Sequence, residues 1–486
     1  MDFDLEIFKD EKLSAYYIDF LTDEQSPDIQ EHFSRLWDYY SNQMKWFIND
    51  NDNEQSRKYL QSQEVGLPTR ITGINLNGKS VSDIKRKEVV IENDISWRIN
   101  AAVDFLFGKP IKIVSVAPAV DKRNEIEKII KAVFDANGAI GFFQNMGLIG
   151  SVYGFVDCVV RPALHKHNSK LTLEQVIKEA EKIDLELIDS SRALPILDEN
   201  DYRKIVYYIQ HFLQKRNEVQ QKNFIGFGRL LSRKKDSTSR EVIEVTEIIS
   251  AKAWQRYEGG NLVKQGELPW GFLPVVHIQN IALPFYYEGL SDVEPLIPLQ
   301  DELNTRLSDR ANRITFQSFK MYLGKGIDGF EDKPISPGRM WQTDNTDATI
   351  EEFGGDAANP SEDAHILEIR GGIDKISSVS PIMTGNLKTA IGNLTSAVAI
   401  KLTFMGMLLK NNRKQFTYSN GIEKICEMVL SMLDTYDIYK TDEGDRKVQV
   451  VFPNPLPEDI TENLNQATMK KNLGVAQETI LKELGY

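Results

Sequence analysis

The stretch NLTSAVAIKLTFMGMLLKNNRKQF, Asn393 to Phe416, decides how this chain is read. It opens on polar residues of the kind that cap helices, and apolar residues then recur at helical spacing. From Val398 they run through Leu402, Met405, Leu409 and Phe416, and onward to Ile422, Cys426, Val429 and Leu433. The pattern predicts one helix over 395–435 with that stripe on its core face. Such a helix is about 60 Å long at 1.5 Å per residue, far beyond the usual three turns. A helix of that length beside small β modules reads as a spanning strut, and struts belong to assemblies.

Working outward, the segment IMTGNLKTAIGN before it is rich in Gly, Asn and Thr, with Lys388 as its only charge. Further upstream, Leu299 to Leu323 reads as a helix bearing Arg306, Arg310, Arg313 and Lys320. A second helix is expected from Ser361, its cap, in SEDAHILEIRGGIDKISSVSP, weakened at Gly371-Gly372. Between them, residues 325–360 are rich in Gly, Pro and Asp and read as a small module with short strands. After the long helix come a strand (KVQVV), a Pro-rich turn and two short helices.

In the first half of the chain, Phe33, Leu36, Trp37, Tyr40, Met44 and Phe47 share one helical stripe. SDIKRKEVVIENDISWRINAAVDFLFGKP predicts a single helix with Ser82 as cap, ended by Gly108 and Pro110. IKIVSV is a β-branched strand, and KRNEIEKIIKAVFDANG is a helix that stops at Asn137-Gly138. A helix over Ile140–Leu148 leads to Gly150 and the strand SVYGFVDCVV. Residues 165–182 read as a charged helical insertion. Strand alternation follows in DLELI, KIVYYIQHF, EVIEVTEII and FLPVVHI, with the basic run Arg229 to Arg240 as the turn of a long hairpin. There is no internal repeat.

Composition bounds the function. A chain of 486 residues exceeds one ordinary core and predicts two to four domains. No apolar run reaches the roughly 18–20 residues of a membrane span, and the acidic start MDFDLEIFKDEK is unlike a signal peptide. Cys158 and Cys426 are the only cysteines and form no CxxC, which argues against a disulfide framework and a cysteine zinc site. These features predict a chain folded in a cytoplasm. The net charge of −13 argues against a general nucleic-acid binder, whose affinity rests on Lys and Arg. It is compatible with a protein that lets DNA pass without gripping it.

GINLNGKS, Gly73 to Ser80, fits the phosphate-cradling G-x-x-x-x-G-K-[ST] pattern and supports an alternative reading as a nucleotide hydrolase. That motif needs a buried strand before it, and EVGLPTRIT is not one. Asn77-Gly78 is a strong tight-turn signal instead. The acid such a site needs for Mg²⁺ would be Asp157, at the end of VYGFVD, which Gly154 interrupts. His165 and His167 lack accompanying carboxylates or cysteines, so no metal site is expected. GFGRL at Gly226 lacks the third glycine of a dinucleotide site. Glu351-Glu352 and Glu362-Asp363 read as solvated, and no catalytic constellation is present.

The order of these parts resembles the portal proteins of tailed bacteriophages, of the type found in siphophages of Gram-positive hosts. VDFLFGKPIKI resembles the family's early helix running into GxPxxI. GLSDVEPLIPLQDELNTRLSDRANRI resembles its approach to the first stem helix, and LTSAVAIKLTFMGMLLK its SGxAL-plus-Lys opening of the longest helix. The end, FPNPLPEDITENLNQATMKKNLGVAQETIL, is similar to the crown segment. Ala397 stands where a Gly is common, and the 165–182 insertion is unusual.

The resemblance implies an α+β, multi-domain portal fold assembling into a ring, typically of twelve subunits, at one capsid vertex. It implies a wing (1–288), a first stem helix (289–325) and a clip (326–360). A second stem helix (361–382), a tunnel loop (383–394), the long wing helix (395–435) and a crown (436–486) follow. Gly385, Asn386, Lys388, Thr389, Gly392 and Asn393 would face DNA. Arg306, Arg310, Arg313 and Lys320 would be the stem's basic residues, and Phe330, Pro337, Arg339 and Trp341 would meet partners at the clip. The implied partners are the terminase large subunit, major capsid and scaffolding proteins, a head-completion or adaptor protein, and double-stranded DNA without sequence specificity. No membrane, cofactor, metal or catalytic residue is implied. Assembly would take place in the host cytoplasm and the product would sit in the virion.

Overall fold

The computed structural model describes residues 8, 11–23, 26–42, 47–48, 55–56, 90–166, 171–218, 239–318, 321–326, 345–353, 360–379, 401–456 and 467–477. Gly73–Ser80, His167, Lys320, the clip residues Phe330, Pro337, Arg339 and Trp341, and the tunnel loop 383–394 lie outside the described residues.

In chain order the elements begin with α1 (Ala15–Asp23), α2 (Ser26–Ser41), β1 (Phe47–Ile48), β2 (Gln55–Ser56), α3 (Asp94–Phe107) and β3 (Lys112–Ser115). Next come α4 (Val120–Ala136), α5 (Ile140–Tyr153), β4 (Phe155–Pro162), α6 (Leu173–Ala180), β5 (Ile183–Ile188) and β6 (Ala193–Asp198). Then follow β7 (Asp201–Glu218), β8 (Ser239–Ile249), β9 (Ala253–Glu258), β10 (Asn261–Glu267) and β11 (Val275–Gln279). The last are α7 (Ile297–Ser318), β12 (Met321–Lys325), β13 (Thr349–Phe353), α8 (Pro360–Ser377), α9 (Met405–Thr435) and β14 (Val448–Val451). The chain divides into two units. The first is Met1–Ser41, Ser96–Glu294 and Ser378–Tyr486, and the second is Asn42–Ile95 and Pro295–Ser377.

The first unit holds a three-stranded antiparallel sheet in the order β11-β4-β5, a five-stranded one in the order β10-β9-β8-β7-β6, and the pair β14-β3. The expected long hairpin is present: β7 and β8 pair from Tyr208↔Ile249 out to Glu218↔Ser239. Its main core joins α4, α5 and α9 to β4, with Ile126, Ile129, Ile130, Met146, Val156, Tyr418, Ile422 and Ile425 buried together. Asn137 stops α4 as its sequence suggests and does more. Its side-chain amide donates to Val133 O and Ile183 O at 2.8 Å and accepts from Leu185 N, tying the helix end to β5. The N-terminal Phe8, Leu13, Tyr17 and Ile18 pack on the five-stranded sheet against Leu194, Ile209, Ile248 and Tyr257.

Several boundaries differ from the sequence expectation. Gly150 does not end α5. Its missing Cβ leaves space for the Tyr418 hydroxyl, which a Cβ would approach to 2.0 Å. The helix continues to Tyr153 and ends on Gly154, whose φ of 93° is open to glycine at little cost. Phe47 leaves the α2 stripe for the ribbon with Gln55-Ser56. α9 starts at Met405, after a break at Phe404, and its 31 residues span about 46 Å. Its phase also differs. The buried face is Met407, Asn411, Lys414, Tyr418 and Gly421 before it reaches Ile422, Ile425, Cys426, Val429 and Leu433. The expected core positions Leu402, Met405, Leu409 and Phe416 are exposed.

In the second unit, β12 pairs with β13 between helices α7 and α8 in the chain. The expected helix to Leu323 therefore stops at Ser318, and Leu323 lies in β12. Helix α8 begins with Pro360 in its first turn, so Ser361 is inside it and not its cap, and it runs unbroken through Gly371-Gly372. The predicted helix from Ser82 is replaced, over residues 90–93, by chain without regular structure. Buried Gln300, Asn304 and Ser308, four residues apart on α7, explain this. Ser308 Oγ, Asn304 Oδ1 and Gln300 Oε1 accept from the backbone N–H groups of Val90, Glu92 and Asp94 at 3.0, 3.0 and 3.2 Å. The polar row satisfies the backbone groups of a chain that has no helical partner there.

Gly421 lies at the contact of α9 with β11, where an added Cβ would sit 2.4 Å from the Ile278 side chain. In an exposed helix Gly→Ala gains about 1 kcal/mol. Here Gly421→Ala is expected to lose about 1–3 kcal/mol by overpacking, read as a lowered thermal midpoint; a raised midpoint would refute the packing argument.

Candidate functional site

The turn Gly289–Leu296 carries the chain out of the first unit, and the sequence at its centre, Ser291-Asp292, organises the surrounding buried polar groups. Ser291 Oγ donates to Val152 O at 2.6 Å and accepts from Val293 N and Glu294 N at 3.1 and 3.3 Å. Asp292 N donates to Ser151 O at 2.8 Å. The Asp292 carboxylate, almost fully buried, receives the Lys410 ammonium at 2.8 Å on one oxygen and the Lys414 ammonium on the other. Lys414 also donates to Ser151 Oγ at 2.9 Å. Asn280 completes the cluster: its amide donates to Leu290 O and Asp292 Oδ2, and its oxygen accepts from Tyr418 OH.

Three elements converge on this point because of local sequence. Gly150 and Ser151 expose the last turn of α5, Asn280 follows the end of β11, and Lys410 and Lys414 are one helical turn apart on α9. Burial works against the charged form of Asp292, yet the Lys414 and Lys410 ammonium groups outweigh it and hold the carboxyl well below the usual range. The arrangement is closed and saturated. It joins elements and offers no reactive group.

A second buried carboxylate is just as occupied. Asp157 on β4 accepts from Tyr208 OH at 2.9 Å, Tyr287 OH at 3.1 Å and His277 Nδ1 at 2.7 Å. His277 Nε2 faces Tyr287 O at 2.8 Å. This is the acid that the nucleotide reading needed for Mg²⁺, and its lone pairs are directed to side chains of its own unit. Burial pushes the Cys158 and Cys426 thiols up, so neither is a thiolate near neutrality. Among the described residues no group of three His, Cys, Asp or Glu could hold a metal ion.

Of the stem residues singled out from sequence, three are described, and all are ion-paired within the second unit. Arg306 meets Glu302 at 2.7 Å on its own helix, Arg310 meets Asp363 at 2.9 Å, and Arg313 meets Glu362. The last two tie α7 to α8, and they account for Glu362-Asp363, which sequence had left to solvent. The motif GLSDVEPL contains Ser291-Asp292, while Lys410 and Lys414 carry no role in it. The signal was there: with Leu402, Leu409 and Phe416 as one stripe, Lys414 falls on another face of the helix, where solvent was assumed.

Over residues 95–485 the sequence matches the family model described as phage portal protein, SPP1 Gp6-like. The chain belongs to this phage portal family. The match takes in the Asp292 turn and helices α7, α8 and α9. The portal chain is thus a virion component with the portal and head-to-tail connector function of its family, a family of structural proteins. Among solved structures it is similar to a chain of the virion of a native gene transfer agent particle, at 10 % identity and a TM-score of 0.41, covering 79 % of this chain and 86 % of that one. It is also similar to a chain in the neck of an empty gene transfer agent particle, at 11 % and 0.42, covering 79 % and 87 %. No curated protein matches it.

Lys414→Met is expected to destabilise the portal subunit by about 3–5 kcal/mol, because it strips a buried carboxylate of its closest partner. The sign with pH follows from the depressed Asp292. Its contribution is complete above the unfolded value of about 3.9 and is lost as pH falls through the lower folded value. Urea midpoints of wild type should therefore hold this contribution down to about pH 4 and lose it below. In Asp292→Asn that acid-dependent part should be missing; an unchanged acid limb would mean the carboxylate is not ionised in the fold.

Proposed function

We propose that the portal chain forms a ring, of twelve subunits in the usual portal count, at a single capsid vertex, with double-stranded DNA passing through its bore. DNA enters during packaging, driven by a terminase that docks on the clip, and leaves at infection through head-completion proteins docked at the same end. The observation that carries this is the family match across residues 95–485, which spans both units.

The second unit supports reading 289–325 and 361–382 as paired stem helices about a clip, since an antiparallel ribbon separates α7 from α8 in the chain. Its arginines support passage without retention. Arg306, Arg310 and Arg313 are engaged by carboxylates, so these three arginines are poorly placed to hold a polyanion. In this reading residues 383–394 form the tunnel loop, with Lys388 making brief phosphate contacts, and Phe330, Pro337, Arg339 and Trp341 meet the terminase and adaptor. Residues 436–486 form the crown. Capsid and scaffolding proteins surround the wing, and assembly takes place in the host cytoplasm.

Two experiments test this reading. Purified protein should form rings of about 650–700 kDa on the twelvefold reading and should not turn over ATP, with Lys79→Ala indistinguishable from wild type. ATP turnover that disappears in Lys79→Ala would restore the nucleotide reading. Gly385→Pro with Gly392→Pro fixes φ near −65° at two points of the tunnel loop and removes two N–H groups. Rings should still assemble while packaged DNA becomes shorter; full-length DNA in such particles would make 383–394 a passive linker.

A further inference from the structure

At its N-terminal end, α9 exposes an apolar stripe where a solvated helix should be polar. Leu402, just before the helix, and Met405, Leu409 and Phe416 on it lie 51–71 % exposed at helical spacing, while the face turned inward carries Asn411 and Lys414. Polar residues are placed inside and large apolar ones outside over the same turns, and this inversion calls for a cover on the outer face.

A second apolar patch of the first unit is the loop from Ile281 to Leu290. Leu290 N closes it by donating to Ile281 O at 3.0 Å. His277 and Gln279, alternate residues of β11, grip its backbone: Gln279 Nε2 donates to Tyr286 O and Tyr287 O at 3.0 and 2.9 Å, and His277 Nε2 faces Tyr287 O. The loop thus held displays Leu283, Phe285, Tyr286 and Leu290. Phe285 is 82 % exposed and sits at a φ of 72°, a backbone state uncommon for a bulky residue.

The segments that carry the two patches differ in charge, with Lys401 and Arg413 exposed on the one and Glu288 and Glu294 on the other. From Ile376 to Ile422 there is no Asp or Glu, while Lys401, Arg413 and three further bases occur; from Gln265 to Thr305 there is no Lys or Arg, while Glu288, Glu294 and four further acids occur. Within one copy the same opposition already joins these segments at Asp292. We propose that the apolar stripe of α9 docks a second copy of this chain, seating on its Ile281–Leu290 loop. The proposal rests on the ring reading above. A ring needs a heterologous contact, two different patches that match, and an apolar centre with a charged rim is the anatomy of such a contact. Leu, Met and Phe side chains give DNA phosphates nothing to bind, so a nucleic acid is the poorer occupant.

The test uses two full-length variants, Leu409→Glu with Phe416→Glu, and Phe285→Asp. Wild type should sediment as rings and each variant alone as a monomer of 55.4 kDa with wild-type circular dichroism. Mixed one to one, they should give a particle of twice that mass and nothing larger, because the mixture restores a single intact interface. Leu409→Ser and Phe285→Ser repeat the experiment without new charges. Rings formed by either charged variant, or a mixture that stays monomeric, would overturn the proposal. If wild type itself is monomeric, the ring reading falls as well; if wild-type rings coexist with ring-forming variants, only the docking surface falls. A lowered melting temperature of the stripe variant with rings intact would instead assign the cover to the chain's own residues.

Discussion

A carboxylate taken out of water must be met by positive charge and donors at close range, and Asp292 imposes that requirement on three segments at once. Lys410 and Lys414 supply the charge, Ser151 and Asn280 the remaining hydrogen bonds, so α5, the end of β11 and α9 can approach in few ways other than the one observed. Replacing such a cluster by packed apolar residues costs little in many proteins, so its value lies in fixing a unique arrangement more than in raw stability. The cluster fixes α9, the longest helix among the described residues, against α5 and the end of β11.

The structure also shows why charge counting along a portal chain misleads. The arginines of α7 look like a basic face in sequence, yet Arg310 and Arg313 are used between helices, at partly exposed pairs worth about 0–1 kcal/mol each. Asp157 looks like a metal ligand at a strand end and is a hub for two tyrosines and a histidine. In both cases the partner lies far along the chain or on another element.

What could be read directly was whatever local chemistry decides. The end of α4 at Asn137-Gly138, the β7–β8 hairpin and the second half of α9 follow from caps, turns and apolar spacing acting within a few residues. What could not be read depended on distant partners. Residues 90–93 are not helical because Gln300, Asn304 and Ser308 hold them, and a row of polar residues on a helix gives no sign of which segment it will satisfy. The first turns of α9 were assigned the wrong face because periodicity finds an apolar stripe without telling whether it turns to its own core or to another molecule. Strands β9 and β10 are not legible in the sequence, since WQRY and NLVKQGE lack clean alternation.

The pairing of β14 with β3 joins Val448–Val451 to Lys112–Ser115, and Phe107 touches both Tyr418 and Phe452. A core closed by contacts more than three hundred residues apart in sequence cannot form while the chain is still short on the ribosome. Until residue 452 has emerged, α4 and α5 lack the helix and the strand that cover them. The exposed apolar stripe of α9 emerges just as late. Synthesis itself therefore orders the events: this part of the fold closes only when nearly the whole chain has been made.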